Sequence, residues 1–235
     1  MEQHEARLAV STVIFALRSD EDSAPALWTP FVRRTRDPYL DQWALPGGWL
    51  PDAEPLEEAA ARTLAETTGL RPSYLEQLYT FGAVDRSPTG RVISVVYWAL
   101  VRSDEVTGAV VGNNVQWFPA DDLPALAFDH NAIVDYALQR LRTKVEYAHI
   151  AHTLLGETFT LAQLRAVHEA VRGQPLDPAN FRRSVTASSE IVETGERLAG
   201  TPHRPPKLYR YRQFTAGSTD RTPDPTPTEQ TRTLP

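Results

Sequence analysis

The residues whose types and spacing could do chemistry lie between positions 48 and 70. Acidic and basic side chains recur there at helical intervals, with Arg62 four residues before Glu66 and eight after Glu54. Side chains three and four residues apart share one face of a helix. Carboxylates on such a face could hold Mg²⁺ or Mn²⁺ against a phosphate group, because hard divalent cations take charged oxygen ligands. The spacing therefore raises the hypothesis of a metal site.

One helix face in this segment combines two threonines with one glutamate. Positions 63, 66 and 67 lie three and four apart, and their residues are Thr63, Glu66 and Thr67. A neutral hydroxyl is a poor ligand for a divalent cation, so among these three residues only Glu66 could be a metal ligand. We expect no required cofactor, weak affinity for Mg²⁺ and at most residual hydrolysis. Arg62, four residues from both Glu58 and Glu66, is interpreted as a structural ion-pair hub.

Strand and helix patterns alternate around this segment, over residues 8–142. Runs rich in apolar and β-branched residues predict strands at Leu8–Leu17, Leu27–Arg34, Leu75–Phe81, Arg91–Val101 and Val115–Phe118. Helix-forming residues predict one helix from Pro55 to Thr68 and another after the N-cap candidate Asp129. Pro46-Gly47-Gly48 is typical of a loop. This order predicts an α/β domain.

Residues 143–213 follow a different pattern. Helical residues continue from Tyr147 to Leu155, and Thr160 with Gln163 matches a capping box that opens a helix ended by Gly173. A second helix, Ala179 to about Ser188, turns Phe181 and Val185 inward. Two strands, Ile191–Val192 and Lys207–Arg212, follow it. Helix, turn, helix and hairpin is the order of a winged helix-turn-helix. Residues 214–235, rich in Thr, Pro and charge, are predicted to be disordered.

Composition limits the class of protein. The chain contains no cysteine, which excludes disulfides and thiolate metal sites and fits a reducing cytoplasm. Residues 1–9 lack the apolar core of a signal peptide, and the longest apolar run, Val92–Val101, is too short to span a bilayer. We therefore expect a soluble cytoplasmic protein with no membrane contact.

The net charge of −6 is unevenly distributed. Residues 1–142 contain 12 Lys and Arg against 20 Asp and Glu, whereas residues 143–213 contain 10 against 7. A polyanion is repelled by the first part and tolerated by the second. Ordinary variation of charge between domains accounts for the same numbers, so the asymmetry alone does not decide the partner.

The segment 48–70 resembles the Nudix hydrolase box. Family positions are occupied by Gly48, Glu54, Arg62, Leu64, Glu66, Gly69 and Leu70. Thr63 and Thr67 stand where the family has glutamates that hold the catalytic metal. The resemblance thus implies a Nudix fold that has lost most of its metal chemistry, and a pocket for a nucleotide-like ligand.

A Nudix-like domain followed by a winged helix resembles the NrtR family, the Nudix-related transcriptional regulators of NAD metabolism. The resemblance extends to the motifs Glu76–Phe81, Asp85-Arg86, Ala127–His130 and Asn180–Arg183. It implies a Nudix-fold α/β/α sandwich at 8–142, a winged helix-turn-helix at 143–213 and a tail at 214–235. It also implies a homodimeric repressor of NAD biosynthesis or salvage genes that binds palindromic double-stranded DNA and senses ADP-ribose or a related NAD metabolite.

Candidate binding residues follow from side-chain chemistry in each domain. Arginines and backbone N–H groups can hold a diphosphate without a metal, and aromatic rings can stack on a base. The candidate ligand-binding residues are Arg33, Arg34, Trp43, Gly48, Glu66, Arg86, Arg91 and Phe128. The candidate DNA-binding residues are Asn180, Arg182, Arg183, Thr186, Arg204 and Lys207.

Two other functions fit the same sequence. The first is an ADP-ribose-type Nudix pyrophosphohydrolase regulated by its winged helix, with Glu66 joined by Glu58 or a distant carboxylate as metal ligands. The second uses the winged helix as a protein–protein module. An assay of ADP-ribose hydrolysis separates the first from a sensor, and DNA binding separates the second.

Overall fold

The computed structural model describes residues 5–18, 24–102, 105, 114–147, 149–199 and 205–212 of the 235-residue chain. The strands are β1 (Arg7–Arg18), β2 (Ala26–Arg33), β3 (Trp43–Ala44), β4 (Gly47–Trp49), β5 (Tyr74–Phe81), β6 (Val92–Val101), β7 (Val115–Pro119), β8 (Ile191–Arg197) and β9 (Lys207–Tyr211). The helices are α1 (Leu56–Thr68), α2 (His130–Tyr147), the 3₁₀ helix η1 (His149–Leu154), α3 (Leu161–Arg172) and α4 (Pro178–Ala187). Within these ranges no helix is long and apolar enough to cross a membrane. The predicted tail and Arg204 lie outside the described residues.

Strands β1 to β7 form one mixed sheet with β1 at its centre. The order is β3-β2-β1-β6-β5, with β4 also paired to β1 and β7 to β2. Strand β1 runs parallel to β6 over ten residue pairs, from Arg7–Val92 to Ala16–Val101, and the remaining pairings are antiparallel. Because β1 has neighbours on both edges and helices over both faces, its residues from Val10 to Leu17 are buried.

Alternating side chains of β1 fill two separate layers. Val13 and Phe15 belong to the large cluster that also contains α2, while Ile14 and Ala16 pack with Leu64 of α1. This alternation is the period of two expected of a strand covered on both faces. Helices on both sides of the sheet confirm the predicted α/β/α sandwich.

The C-terminal elements confirm the predicted winged helix. The Thr160 hydroxyl accepts from the N–H of Gln163, and the Gln163 side chain accepts from the N–H of Thr160, which is the predicted capping box. Helix α4 begins after the N-cap Asp177, and its Phe181 and Val185 pack against the core. Strands β8 and β9 then pair as an antiparallel hairpin.

Two local predictions were wrong, and the structure gives the helix type for a third. The segment Pro46-Gly47-Gly48, which was predicted to be a loop, contains the start of β4. Gly47 has no side chain, so the backbone of β4 can approach β1 closely. Proline and glycine are equally typical of turns, and the sequence therefore did not reveal this strand. Strand β8 continues to Arg197, since Gly195 (φ 85°) lies in the irregular stretch of the hairpin and not in a turn that ends the strand. The helical stretch after Tyr147 is the 3₁₀ helix η1.

Gly47→Ala is expected to destabilise the fold by about 2–3 kcal/mol through steric overlap. The new Cβ would lie 2.4 Å from the carbonyl oxygen of Val10 and 2.9 Å from the Cα of Ser11. The matched control is Gly48→Ala, whose Cβ would meet Thr63 Cγ2 at an ordinary 3.7 Å. Urea denaturation measures both variants, and equal losses of stability would contradict the β1–β4 pairing.

Candidate functional site

An arginine at the centre of α1 organises the 48–70 segment. Arg62 donates from Nε and Nη2 to the two carboxylate oxygens of Glu54, at 2.7 and 2.6 Å, and from Nη1 to Glu66 at 3.1 Å. The hydrogen bond from Arg62 lowers the pKa of Glu54 and raises that of Arg62. Arg62 is thus an ion-pair hub, as predicted, but its partners are Glu54 and Glu66 and not Glu58.

The two threonines of α1 bond to their own helix. The hydroxyl of Thr63 is buried and donates to the carbonyl of Ala59 at 2.8 Å, and that of Thr67 donates to the carbonyl of Thr63 at 2.5 Å. Back-bonding of this kind is common for threonine inside helices. Within the described part of the chain, no group of three or more His, Cys, Asp or Glu side chains is placed to hold a metal ion.

A cavity of about 480 Å³ opens between the ends of β1, β2, β4 and β6 and the segment before α2. Its charged lining is strongly basic, and consists of Arg7, Arg33, Arg34, Arg36, Arg86 and the single carboxylate Asp37. The volume lies within the range of small-molecule sites. An excess of arginine in a concave, partly desolvated site favours an anionic ligand.

Aromatic rings stand beside two of these arginines. The Arg34 guanidinium lies 4.7 Å from the centre of the Phe128 ring, and Tyr39 meets Phe128 edge-on at 4.8 Å. On the other side of the cavity, the Arg7 guanidinium lies 3.6 Å over the ring of Trp49. Phe128 has a positive φ of 58°, a backbone conformation that is costly for a bulky residue and is often found at functional sites.

A buried ion pair forms the wall of the cavity next to α2. Arg86, whose side chain is 5% exposed, donates from Nε and Nη2 to the two oxygens of Asp129 at 3.0 and 2.8 Å. Asp129 directly precedes α2, and its carbonyl accepts from the N–H of Ile133 in the first turn. The pair therefore fixes the start of α2 against the cavity.

His130, the first residue of α2, is a neutral hydrogen-bond acceptor. Its Nδ1 accepts from the backbone N–H of Leu45 at 3.0 Å, which places the proton of the ring on Nε2. Burial lowers the pKa of His130 to about 4, and the nearby charges of Arg86 and Arg34 act in the same direction against the opposing effect of Asp129.

The structure brings some of the predicted ligand-binding residues together. The ones that line the cavity are Arg33, Arg34, Gly48, Arg86 and Phe128. The ones outside its lining are Trp43, Glu66 and Arg91. Trp43 packs edge-on against Phe118, Arg91 donates to the carbonyls of Gly82 and Ala83, and Glu66 bonds to Arg62.

Sequence reasoning missed several lining residues. Arg7, Trp49 and His130 all face the cavity, yet none stands at a family position of the box. Arg7 and Trp49 meet because residues 9–11 of β1 pair with residues 47–49 of β4, a pairing that periodicity cannot reveal. For His130 a signal existed, since it closes the motif Ala127–His130.

Helix α4, the second helix of the helix-turn-helix, presents polar side chains to solvent. Asn180, Arg182, Arg183 and Thr186 are all exposed, although the Thr186 hydroxyl donates to the carbonyl of Arg182. In the wing, Lys207 pairs with Glu193 at 2.8 Å.

A groove of about 350 Å³ lies between α4, the wing and the N-terminus of α3. Its basic lining residues are Arg182, Arg197 and Lys207. The N-terminus of α3 carries the positive end of the helix dipole, which favours anions as well. This surface therefore suits a phosphate backbone.

Two family models match the chain. The model described as the NUDIX domain matches residues 8–141, and the model described as the NrtR DNA-binding winged helix domain matches residues 151–211.

Individual relatives match over one or both domains. The ADPR responsive transcriptional repressor NtrR of Acinetobacter baylyi is 32% identical over 186 residues, covering 77% of this chain and 74% of the relative. The crystal structure of Shewanella oneidensis NrtR complexed with a 27mer DNA superposes with a TM-score of 0.72 at 34% identity, covering 87% of this chain and 93% of that chain. The ADP-ribose pyrophosphatase of Methanocaldococcus jannaschii is 37% identical over 106 residues, 45% of this chain and 63% of the relative.

One buried histidine, His130, and one partly buried histidine, His168, predict a loss of stability in mild acid. Burial lowers the pKa of His130 and of His168 from 6.5 to about 4, so between these values the unfolded chain binds protons that the folded chain does not. Stability is therefore full above pH 6.5 and falls as the pH drops towards 4, by roughly 3 kcal/mol for the deeply buried His130.

His130→Asn tests this assignment, because asparagine keeps an acceptor for Leu45 and cannot titrate. We expect the variant to lose the larger part of the difference in unfolding free energy between pH 7.5 and pH 4.5. His168 and the carboxylates Glu54 and Glu76, whose pKa values are also lowered, supply the rest. Denaturant titrations at both pH values measure it. A variant as acid-sensitive as the wild type would rule His130 out as the source.

Proposed function

Because the chain belongs to the NrtR family, the Nudix-related transcriptional regulators of NAD metabolism, we propose that it is a ligand-responsive transcriptional repressor of NAD biosynthesis or salvage genes. Its Nudix domain binds ADP-ribose or a related NAD metabolite, and its winged helix binds the operator. The observation that carries this proposal is the joining of an arginine-lined cavity and a basic recognition helix in one chain. The Acinetobacter baylyi repressor aligns over 77% of the same chain.

The charge of the cavity supports a diphosphate ligand. Five arginines and one carboxylate line it, and a diphosphate carries the negative charges that such a lining lacks. Arg34 and Arg86 are the candidate diphosphate contacts, since both sit in the wall beside Phe128. Trp49 and Phe128 offer ring faces for a base or ribose.

We infer that α1 does not hold a catalytic divalent cation. Thr63 and Thr67 are neutral and donate to helix carbonyls, and the carboxylate of Glu66 is bonded to Arg62. A hard cation needs several charged oxygen ligands, and this donor set does not fit one. ADP-ribose is therefore bound by arginines and backbone groups and is not hydrolysed.

The DNA contacts that we propose lie on α4 and the wing. Exposed Asn180, Arg182, Arg183 and Thr186 suit base edges and phosphates in the major groove. Lys207 and Arg197 suit the backbone beside them. A homodimer places two such surfaces on the two halves of a palindromic operator, in the cytoplasm of the cell.

A second function is favoured by one comparison. The match to the ADP-ribose pyrophosphatase of Methanocaldococcus jannaschii, 37% identical over 106 residues, supports residual hydrolysis of ADP-ribose. In that case Glu66 would be a metal ligand, released from Arg62.

DNA binding is expected to depend on the exposed arginines of α4. Arg182→Ala/Arg183→Ala should raise the Kd for a promoter duplex at least about tenfold and flatten the salt dependence by about one log–log unit for each phosphate that is no longer bound. Gel shifts or fluorescence anisotropy at several salt concentrations measure both. The control is Arg71→Ala, an exposed arginine just after α1, which should leave the Kd unchanged. Unchanged binding by the double variant would favour a protein–protein module.

ADP-ribose hydrolysis with Mg²⁺ or Mn²⁺ is expected to stay far below about 1 s⁻¹, the lower end of ordinary enzyme turnover. Glu66→Gln is the matched control, because it removes the remaining candidate metal ligand. If the protein is a sensor and not a hydrolase, the rate of ADP-ribose hydrolysis should be the same in this variant as in the wild type. Rapid turnover that disappears in Glu66→Gln would establish the hydrolase instead.

A further inference from the structure

The winged helix and the Nudix domain share one hydrophobic core. Leu164, Val167 and Val171 of α3 are at most 1% exposed and belong to the same cluster as Phe31 of β2 and Leu141 of α2. Closely packed interiors deform little and move in discrete steps. A shift of α2 therefore has to be followed by α3, the first helix of the winged helix.

Arg142 attaches α2 to the end of α3 by polar contacts as well. Its Nε donates to the carbonyl of Val171 at 3.0 Å, in the last turn of α3, and its Nη2 donates to Asp121 at 2.6 Å. The last carbonyls of a helix lack partners within it and carry partial negative charge. Arg142 thus holds the C-terminus of α3 to α2 and to the loop after β7.

The other end of α2 forms a wall of the ligand cavity. Phe128 and His130 line this cavity, and Asp129 between them is held by Arg86, which lines it too. Since α2 has 18 residues, about 27 Å separate this end from the other. One rigid helix therefore has its first turn at the cavity and its last turns on the winged helix.

We propose that α2 couples ligand binding to DNA binding and call this coupling the relay. The Arg86–Asp129 pair at the start of α2 responds to the ligand, and Arg142 near its other end passes the resulting movement to the winged helix. This inference rests on the proposed function. An anionic ligand in the cavity competes with the Asp129 carboxylate for the donors of Arg86. Loss of that pair releases the start of α2 from the cavity wall, and the left-handed turn at Phe128 relaxes with it. Arg142 transmits the resulting shift of α2 to α3 and so re-aims the recognition helix.

The competition is tested with Asp129→Asn, which keeps a hydrogen-bonding oxygen but removes the charge that holds Arg86. We expect the variant to bind ADP-ribose three- to tenfold more tightly in isothermal titration calorimetry, a gain that a damaged fold does not produce. Asp135→Asn, on the exposed face of the same helix, is the control and should bind like the wild type. Weaker binding by Asp129→Asn would overturn the competition.

The role of Arg142 in this coupling is tested with the variant Arg142→Met, whose affinity for DNA is measured with and without saturating ADP-ribose. The probe is a 27-base-pair duplex from the protein's own promoter, the length of DNA bound by the Shewanella oneidensis relative. We expect both ligand-free DNA affinity and ADP-ribose affinity to stay within threefold of wild type, while the ligand-induced change in DNA affinity falls at least fivefold. Arg140→Met on the same helix should keep the full change, and Arg142→Lys should restore part of it.

The outcomes separate the relay from the proposed function. A full ligand response in Arg142→Met would overturn the relay and leave the repressor intact. A wild-type chain that binds the duplex with the same affinity at every ADP-ribose concentration would contradict the proposed function and the relay together.

Discussion

The ion pair between Arg86 and Asp129 joins the two parts of the protein that have to communicate. Both guanidinium bonds are made inside the cavity wall, and the acid directly precedes the helix that carries the winged domain. Removing one partner of a fully buried pair typically costs about 3–5 kcal/mol, because the remaining charge has no compensation. The cost is smaller here, since the side chain of Asp129 is 24% exposed. A ligand that supplies replacement charge can offset that loss. The Arg86–Asp129 pair can therefore stabilise the ligand-free conformation and can also be broken when an anionic ligand binds to Arg86.

Residues of the 48–70 segment, together with the adjoining Gly47, support the local fold. Arg62 ties Glu54 to Glu66 across α1, Gly47 lets β4 approach β1, and the threonines bond back to helix carbonyls. Thr63 and Thr67 carry no charge, whereas five arginines line the cavity. In the function that we propose, the cavity binds its ligand through arginines and does not hydrolyse it.

Much of the fold could be predicted from the sequence, and less of the candidate site. Periodicity and caps were enough for α1, α3 and α4, because the capping box at Thr160 and the glycine stop at Gly69 are local signals. The short strands β3 and β4 depend on tertiary pairing, so no local pattern revealed them. For the same reason Arg7 and Trp49 escaped prediction, and Trp43 was placed in the cavity although it packs against Phe118. The partner of Asp129 is 43 residues away in sequence, and spacing alone cannot supply it.

The most direct test measures the thermodynamic linkage between ligand binding in the cavity and DNA binding by the winged helix. The Kd of ADP-ribose is measured by calorimetry on the free wild-type protein and on the protein saturated with its operator duplex. Because coupling is reciprocal, the ratio of these two constants must equal the ratio of the DNA affinities with and without ligand. The account predicts a ratio of at least about five, in the range typical of allosteric proteins. A ratio of one, with ADP-ribose bound equally well in both states, would contradict it.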